Sequence, residues 1–573
     1  MLKRIVKLIP KAYRGKGLII SLLVPFNAIL DLIGLAALLP LLIAVLDSSS
    51  KEIMGISIPV NGENAIGMII IVLLIILLKN LLRLSILNYQ NKYLLSLYAY
   101  FSDSLFAKLY SKGLEYVKQS NSTRLSYKIN SVCYSFGVGF LAAILNFVGE
   151  SLFIILLLAA LFIFDVRSGL LIIICFVPVV IIYLKTVKSK LKEYGQKEML
   201  VRRDQQRVVQ ETFKGYPDME INKAFPQVRK RFDKGLKEIS RYRVKTILIN
   251  AIPSYMMEFA VAIVVSALVI FSMNASDSSI RVFLGVFSIA VLRMLPSVKS
   301  LISKWNTIKS TQFSLEVLEE LENTENIVDW TSKTKMPNSD NSVTPFTFEH
   351  EIKVENLSFY YQDDENNPIL KNVSFDIKKG ERFGIKGRTG SGKSTLFNLL
   401  LGLFTPTSGS IKIDGTTLSK ENIDSWHKII GYVPQDVFIS DVTLLENIAI
   451  GQNKEDIDRE KVEKILRQVS LGDFLDSLKD GLDTMLGEAG SRISGGQRQR
   501  IGIARALYKN IEVLFFDEAT SSLDTDTEKE INTAIEKLSN EQKRLTIIII
   551  SHRPDSLKFC DRIINIKKHE VEI

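Results

Sequence analysis

The sequence predicts a two-part protein, an all-α half that spans a membrane followed by an α/β half. Three observations support this prediction. Long apolar stretches recur up to about residue 302, strand-like and helix-like patterns alternate from residue 351 onward, and a G-x-x-x-x-G-K-S string lies in the second half. Hydrophobic residues make up 47% of the 573 residues and concentrate in the first half. With a mean hydropathy of +0.17, the chain is more apolar than an ordinary charged soluble enzyme of this size.

The N-terminal segment, residues 1–16, is basic and amphipathic, with six lysines and arginines among apolar residues. Such a segment is typical of a helix that lies in a membrane interface. We therefore predict a cytoplasmic interfacial helix over residues 1–16. A secretory signal is not expected, because no small-residue cleavage site follows the first apolar stretch.

Six membrane helices are predicted within a transmembrane domain of residues 17–310. A helix needs about 20 residues to cross a hydrocarbon core of about 30 Å. Six apolar stretches approach or exceed that length. They cover roughly residues 17–46, 65–90, 137–164, 168–186, 247–272 and 280–302. The fourth is the shortest and contains Pro178.

The charges of the connections predict the orientation. The connections after the second and fourth stretches are rich in Lys and Arg, whereas the other connections hold only Lys51 and Arg167 as basic residues. Basic connections face the cytoplasm, so we expect both termini and the α/β half to be cytoplasmic. The net charge of +10 then reflects membrane topology, and we expect no nucleic-acid partner.

The two cytoplasmic connections are long, and their apolar residues recur at helical spacing. We expect the membrane helices to continue into the cytosol as pairs of arms, with turns near residues 121–126 and 215–220. Residues 311–350 are predicted to be a linker. The stretch 332–345 is rich in Ser, Thr, Asn and Pro and lacks periodicity.

Ionisable residues inside the predicted spans are functional candidates, because groups at membrane depth face a cavity or a partner. They are Asp31, Lys79, Glu150, Glu258 and Arg293. Arg293 belongs either to a structural ion pair, for instance with Asp31 or Glu258, or to a cavity that contacts an anionic ligand. Lys79 and Arg83 share a helix face. They either mark the helix leaving the bilayer or contact that ligand.

The G-x-x-x-x-G-K-S string predicts a phosphate-binding loop. Its glycines let consecutive backbone N–H groups turn toward phosphate oxygens. Lys393 would reach the outer phosphates, and Ser394 would ligate Mg²⁺. A predicted strand, residues 381–386, precedes the loop, and a predicted helix, residues 395–401, follows it with its N-terminus facing the anion. The candidate ATP-binding residues here are Gly387, Arg388, Thr389, Gly390, Ser391, Gly392, Lys393, Ser394 and Thr395.

The α/β domain is predicted over residues 351–573. Short β-branched runs alternate with helical patterns, which indicates a mainly parallel sheet flanked by helices. The runs cover residues 352–357, 373–377, 382–386, 431–433, 513–516 and 546–550.

Two carboxylates, Asp517 and Glu518, end one of these apolar strands. Asp517 would hold the Mg²⁺ hydration shell opposite Ser394, and Glu518 would polarise the attacking water. The plain alternative is a strand with a solvated acidic end.

The string Ile493-Ser-Gly-Gly-Gln497 precedes a helical run and predicts a second anion-binding nest.

These motifs occur in the order and spacing of ATP-binding cassette (ABC) transporters. The resemblance rests on the phosphate loop, Gln435, residues 493–497, the pair Asp517 and Glu518, residues 521–524, and His552. With the membrane half first and the cassette second, the chain resembles an exporter-type half-transporter over essentially its whole length. The resemblance implies ATP and Mg²⁺ as cofactors, and ATP hydrolysis coupled to transport.

The resemblance also implies roles for individual residues. Tyr361 would stack on adenine, with Tyr360 as the alternative. Gln435 would contact Mg²⁺ and sense the γ-phosphate. His552 would be the switch histidine on the γ-phosphate, and Asp524 would lie in the loop that communicates between two ATP sites.

A signature loop is implied at Ser494, Gly495, Gly496 and Gln497, which would bind the ATP held by a partner cassette. Position 493 is Ile where the family usually has Leu, a conservative departure. The phosphate loop and signature loop of one cassette cannot complete the same site in this family. The working unit would therefore be a dimer, most simply a C₂ homodimer, with a heterodimer as the alternative.

Two membrane patterns resemble bacterial flippases of lipid-linked oligosaccharides. They are the run from Asp31 to Pro40 and the run from Arg293 to Ser297, in which position 294 is Met where the flippases have Leu. This resemblance implies an integral protein of the bacterial inner (plasma) membrane and a pyrophosphate-linked glycolipid substrate. A buried guanidinium suits such an anion.

The candidate substrate residues are Arg293, Lys79 and Arg83. Export of another lipid, a peptide or a drug is the alternative. A hypothesis of a different class is an ATP-gated channel or regulatory protein, against which the presence of Glu518 argues.

Overall fold

Long helices make up the first half of the chain, and two β-sheets with short helices make up the second. The computed structural model describes residues 2–38, 52–53, 56–57, 62–120, 122–164, 166–273, 278–323, 348–361, 368–487, 490–517, 533, 545–551, 557–567 and 570–572. The chain divides into two units. One comprises Met1–Ser111 with Ser120–Thr331, and the other comprises Lys112–Gln119 with Ser332–Ile573.

The first unit consists mainly of helices, several of which follow one another closely in the chain. A two-residue antiparallel pair, β1 (Glu52–Ile53) with β2 (Ile56–Ser57), lies between the second and third helices. The helices are α1 (Leu2–Leu8), α2 (Lys11–Ala36), α3 (Gly62–Ser111), α5 (Ser122–Ser126), α6 (Ala142–Phe164), α7 (Val166–Lys214), α8 (Tyr216–Ile221), α9 (Phe225–Met273) and α10 (Ser278–Asn323), while α4 (Gly113–Gln119) belongs to the second unit. Two π-helical segments, Tyr127–Val132 and Ser135–Leu141, lead into α6.

The predicted interfacial helix over residues 1–16 is broken. Helix α1 ends at Leu8, and α2 begins at Lys11. Pro10 lies between them with φ −59° and ψ 148°. Proline has no N–H to donate and disfavours the helical conformation in Ile9 before it, so α1 ends ahead of Pro10. Ile5 and Leu8 of α1 are buried, as an amphipathic helix requires.

Four helical segments of the described residues are long and apolar enough to cross a membrane. They are Lys11–Ala36, Ile69–Ser111, Arg124–Ile163 and Phe225–Ser266, and Gly169–Tyr183 is a shorter apolar segment. The sixth predicted span, residues 280–302, lies within α10, and residues 39–46 of the first lie outside the described residues. The structure thus has a helical membrane domain, and the count of six crossings stays a prediction.

Long helical arms are present. Helices α7 and α9 pack along each other, and α7 has 49 residues. At about 1.5 Å per residue its length is roughly 70 Å, more than twice the hydrocarbon thickness of about 30 Å. The short helix α8 forms the predicted turn near residues 215–220.

The other turn and the linker differ from the predictions. The first pair of arms is joined by α4 as well as by the predicted turn at 121–126. Helix α10 continues to Asn323, so the predicted linker of residues 311–350 begins inside a helix. Leu315 and Leu318 of this last part are buried, and their packing maintains the helix. Residues 324–347 lie outside the described residues.

The second unit contains two sheets where the sequence predicts one mainly parallel sheet. A six-stranded sheet has the order β12-β11-β5-β10-β9-β8 and is parallel except for β12. A separate antiparallel sheet has the order β4-β3-β6-β7. The strands are β3 (Glu351–Phe359), β4 (Leu370–Lys378), β5 (Arg382–Gly387), β6 (Ser408–Ile413), β7 (Thr416–Thr417), β8 (Ile430–Val433), β9 (Val513–Asp517), β10 (Thr546–Ile550), β11 (Arg562–Lys567) and β12 (Glu570–Glu572).

The second unit has two apolar cores. One core includes Phe383, Phe397 and Phe515, and the other lies around Leu445, Leu466 and neighbouring side chains. The helices are α11 (Lys393–Leu400), α12 (Ile423–Ile429), α13 (Leu444–Ile448), α14 (Arg459–Gln468), α15 (Gly472–Ser477) and α16 (Gly495–Tyr508), with 3₁₀ turns at Lys454–Asp456 and Gly481–Asp483.

Strand register brings the predicted ATP-site segments to one edge. Strand β10 lies between β5 and β9, with Ile550 opposite both Ile385 and Asp517. The carboxyl ends of parallel strands meet at one edge of a sheet, where ligands of such folds bind. The phosphate loop after β5, Asp517 and Ser551 therefore lie at the same edge.

Candidate functional site

The phosphate loop has the backbone that its glycines permit. Gly390 and Gly392 adopt φ values of +81° and +97°, a left-handed conformation that residues with a Cβ rarely adopt. A Cβ on Gly392 would also lie 2.8 Å from the carbonyl oxygen of Ile369. The loop ends where α11 begins at Lys393, so the helix N-terminus faces the loop.

Two polar side chains are buried inside this loop. Lys393 is 5% exposed, and its ammonium donates to the carbonyl oxygens of Gly387 and Arg388, each at 3.0 Å. The Ser391 hydroxyl is buried and has no hydrogen-bond partner among the described residues. A buried cation beside an unsatisfied hydroxyl suits a phosphate, so these residues fit the anion that the motif predicts.

Asp517 is held at the sheet edge by a neighbouring strand. The Tyr432 hydroxyl on β8 donates a hydrogen bond to the Asp517 carboxylate. Burial, together with the negative charge and hydrogen bond of Asp517, raises the pKa of Tyr432 to about 12. Tyr432 therefore stays a neutral donor near pH 7. The sequence did not single out Tyr432, because only the β8–β9 register places it beside Asp517.

The residues that would hold Mg²⁺ lie on three segments. Ser394 is exposed in the first turn of α11, Asp517 ends β9, and Gln435 is exposed just after β8. Among the described residues, no group of three or more His, Cys, Asp or Glu side chains could hold a metal ion. Mg²⁺ in nucleotide sites uses few protein ligands together with phosphate oxygens and water, and one hydroxyl with one carboxylate fits that chemistry.

An aromatic cluster supports Tyr361. Its ring lies edge-on to the rings of Phe359 and Phe404, with centroid distances of 5.3 Å and 6.1 Å. The Phe359 and Phe404 rings stack on each other at 5.2 Å. The Tyr361 hydroxyl lies 3.5 Å from Thr395 Oγ1 on α11. Of the two tyrosines considered for adenine stacking, Tyr361 is thus the one placed beside the phosphate-binding helix.

The signature residues form a capping box at the start of α16. Gln497 N donates to Ser494 Oγ at 3.2 Å, and Ser494 N donates to Gln497 Oε1 at 2.9 Å. A Cβ added to Gly495 would meet nothing within 4 Å. Ser494 and Gln497 therefore shape the helix N-terminus, and Gly495 leaves it open to an anion. The S-x-x-Q spacing in the sequence is the signal for this capping role.

Arg505 lies on α16, the helix that begins at the signature residues, and forms hydrogen bonds with the chain that follows Gln435. Its guanidinium donates to the carbonyl oxygens of Asn447 and Phe438, each at 2.9 Å. Burial lowers the pKa of Arg505 to about 10, so the side chain remains a cation near pH 7. Sequence reasoning missed Arg505, since an arginine in a helix carries no motif of its own.

Three predicted site residues lie outside the described residues: Glu518 and His552, predicted to be catalytic, and Asp524, predicted to lie in the loop between the two ATP sites. The neighbours of two of them are described. Asp517 ends β9, and buried Ser551 follows β10 and donates its N–H to the Ile385 carbonyl at 3.4 Å.

The candidate substrate residues meet at one carboxylate in the membrane domain. Asp31 Oδ1 lies 3.2 Å from Lys79 Nζ, 3.0 Å from Arg83 Nη1 and 3.0 Å from Arg293 Nη2. These four residues come from α2, α3 and α10, and we call them the cationic cluster. Of the two acids considered as partners for Arg293, the structure therefore selects Asp31.

Neighbouring residues position the cluster. A Cβ on Gly34 would lie 2.7 Å from Lys79 Cδ, so any larger residue at this position would require the lysine stem to shift. The Arg293 guanidinium lies 5.1 Å from the centre of the Phe153 ring, a cation–π contact. Asp31 and Lys79 are 13% and 16% exposed, while Arg293 and Arg83 are 34% and 49% exposed. One carboxylate against three cations leaves two positive charges that Asp31 does not neutralise.

Comparisons with known proteins agree on the family. The "ABC transporter" family matches residues 370–521. The chain is 29% identical over 463 residues to the ATP-dependent lipid A-core flippase of Aliivibrio fischeri, covering 80% of this chain and 76% of that protein. It is 28% identical over 474 residues to the protein of that name from Syntrophus aciditrophicus, covering 82% and 75%.

A solved structure agrees on the fold. A bacterial Atm1-family ABC exporter with ATP bound matches with a TM-score of 0.75, covering 98% of this chain and 95% of the other at 21% identity. At that identity the match concerns the fold, a helical membrane domain followed by an ABC ATPase domain.

Proposed function

Since this chain is an ABC transporter whose helical membrane domain precedes its ATPase domain, we propose that it flips an anionic amphipathic lipid. The most specific form of the proposal is a pyrophosphate-linked glycolipid, moved across a bacterial inner membrane by ATP hydrolysis. The relatives named lipid A-core flippases support a lipid substrate with a saccharide part.

The cationic cluster is the observation that supports an anionic lipid as the substrate class. Placing a charged side chain at mid-membrane costs about 2.5–3.5 kcal/mol on insertion scales. A structural pair would need one cation for Asp31, whereas Lys79, Arg83 and Arg293 all contact it. Guanidinium groups bind phosphate oxygens in a bidentate manner. The two uncompensated positive charges therefore suit a phosphorylated headgroup.

In the ATPase domain, each candidate residue has a proposed role. The loop backbone and Lys393 would hold the phosphates, and Tyr361 would stack on adenine. Ser394, Gln435 and Asp517 would hold Mg²⁺, which offsets phosphate charge when bound. Glu518 would polarise the water, and His552 would contact the γ-phosphate.

A homodimer is proposed as the working unit. The open N-terminus of α16 at Gly495 supports an anion that approaches from a second cassette, since helix N-termini attract anions. Two identical chains related by C₂ symmetry would then form two equivalent ATP sites. Asp524 would lie in the loop between them, and both cassettes and all termini would be cytoplasmic.

The proposal is tested by ATP hydrolysis of the full chain in phosphatidylcholine nanodiscs. We expect a polyprenyl pyrophosphate to stimulate hydrolysis, and a neutral glycolipid, a cationic amphiphile or a peptide to have little effect. Glu518→Gln supplies the background rate. Stimulation by the neutral or cationic compounds, without stimulation by the pyrophosphate lipid, would refute an anionic lipid substrate.

A further inference from the structure

Asp31 occupies the place where the proposed headgroup would bind. Its Oδ1 oxygen is the common partner of Lys79, Arg83 and Arg293, at 3.0–3.2 Å from each cation. A phosphate oxygen entering the cationic cluster would meet the same three groups. The carboxylate and the headgroup would therefore compete for the same cations.

We propose that Asp31 is a specificity-determining residue that rejects lipids with a single negative charge. Asp31 holds the cations as an internal competitor, and only a headgroup with more than one negative charge displaces it. This inference rests on the proposed function, because it assumes that an anionic lipid uses the cluster.

Competition with a tethered group sets the charge threshold. A carboxylate fixed on α2 acts at a high effective concentration, on the order of millimolar or above for a short tether. A phosphodiester lipid with one negative charge offers the three cations no more charge than Asp31 already supplies. A pyrophosphate offers more, and it meets the two positive charges that Asp31 leaves uncompensated.

The cations have supports that do not involve Asp31. Gly34 provides the path of the Lys79 stem, and the Phe153 ring lies beside the Arg293 guanidinium. Arg83 lies one turn from Lys79 on the same face of α3, so the helix backbone keeps both cations on one side although like charges at this spacing repel each other. The cluster therefore stays assembled when a ligand replaces the carboxylate. The ordinary anionic phospholipids of a membrane would occupy such a site if Asp31 were absent.

The experiment measures lipid competition in phosphatidylcholine nanodiscs containing the full chain. Polyprenyl pyrophosphate is titrated, and its half-maximal concentration for stimulating ATP hydrolysis is determined with and without excess phosphatidylglycerol, which carries one negative charge. In the wild-type protein we expect phosphatidylglycerol to leave this concentration unchanged. In Asp31→Asn we expect the concentration to fall about tenfold without phosphatidylglycerol, and to rise again when it is added.

Two further variants separate charge from structure. Asp31→Glu keeps the carboxylate and is expected to preserve the discrimination of the wild-type protein. The double variant Asp31→Asn with Lys79→Gln removes one acid and one base, so the net charge of the cluster is unchanged. It is expected to lose the discrimination, and it tests the proposal if Asp31→Asn alone does not fold.

The possible outcomes are distinct. If phosphatidylglycerol does not compete in either Asn-containing variant, or competes equally in the wild-type protein, Asp31 is not a charge filter. If neither Asn-containing variant folds, Asp31 is a structural residue and the proposal is overturned. If the pyrophosphate lipid stimulates neither the wild-type protein nor any variant while a neutral lipid does, the proposed function itself fails.

Discussion

The Tyr432 hydroxyl donates a hydrogen bond to the Asp517 carboxylate at the carboxyl edge of the six-stranded sheet. Strand β8 supplies the tyrosine and β9 the aspartate, which lie next to each other because the two strands pair in parallel. The contact restrains a carboxylate that we propose binds Mg²⁺. Removing this hydrogen bond should therefore change the Mg²⁺ dependence of ATP hydrolysis more than it changes the stability of the fold.

Tyr432→Phe removes this hydrogen bond and keeps the ring. We expect the Mg²⁺ concentration for half-maximal ATP hydrolysis to rise about 3- to 10-fold, which corresponds to the net contribution of about 0.5–1.5 kcal/mol of a typical hydrogen bond. A Mg²⁺ titration at saturating ATP measures it. Phe397→Leu, a change at a buried core ring nearby, serves as the control for general destabilisation. An unchanged Mg²⁺ requirement would contradict the positioning role.

The same tyrosine predicts a pH dependence of stability. Its folded-state pKa of about 12 exceeds the ordinary value of 10.0. The unfolded chain therefore loses the Tyr432 proton first as pH rises, and the associated stability, present below pH 10, is lost between pH 10 and 12. Thermal unfolding of the wild-type protein and Tyr432→Phe should converge across this window. A constant difference up to pH 12 would contradict the raised pKa of the Tyr432 hydroxyl.

Glu518→Gln should retain ATP binding and reduce hydrolysis by about 10²-fold or more, because it removes the group proposed to polarise water. Equilibrium binding of a fluorescent ATP analogue and steady-state phosphate release measure the two effects separately. Hydrolysis near the wild-type rate would show that another group activates the water.

Ser494→Arg should prevent two cassettes from closing over ATP while each still binds nucleotide. The bulky side chain would cover the open N-terminus of α16 and also break the capping box with Gln497. Ser494→Ala is the matched control, since it removes the cap at a cost of about 1 kcal/mol without adding bulk. Cross-linking of cassettes in the presence of ATP gives the readout, and equal hydrolysis in both variants would count against the head-to-tail dimer.

Tyr361→Ala should weaken ATP binding about 5- to 150-fold, because stacking of one base on an aromatic ring contributes about 1–3 kcal/mol. Tyr360→Ala is the comparison, as it changes the neighbouring tyrosine. The Michaelis constants for ATP of the two variants decide between them. A larger effect at Tyr360 would assign the stacking to that residue instead.

Arg293→Ala should reduce stimulation by the pyrophosphate lipid more than it reduces basal hydrolysis. The protein should remain folded, because Lys79 and Arg83 still neutralise Asp31 and no buried carboxylate is left unpaired. Thermal stability and lipid-stimulated hydrolysis are measured on the same preparation. A strongly destabilised variant, or one with full stimulation, would remove Arg293 from the headgroup site.

Local patterns in the sequence were sufficient for much of this protein. The apolar stretches predicted a helical membrane domain because crossing a bilayer requires contiguous apolar residues. The phosphate loop from Gly387 to Ser394 could be recognised because its glycines and lysine must be adjacent to surround a phosphate. The family followed from the order of such motifs. Each of these features depends on residues that are close in the chain.

Only the tertiary structure decided which distant residues meet. Asp31 and Lys79 are 48 positions apart, and their contact with Arg293 depends on how α2, α3 and α10 pack, which no local period encodes. The antiparallel sheet around β3 was missed for the same reason, since strand pairing is set by register and burial between segments. Sequence alone left Arg293 as either an ion-pair partner or a ligand-binding residue. The structure shows that Arg293 contacts Asp31 together with Lys79 and Arg83. The excess positive charge arises because these three cations share one carboxylate.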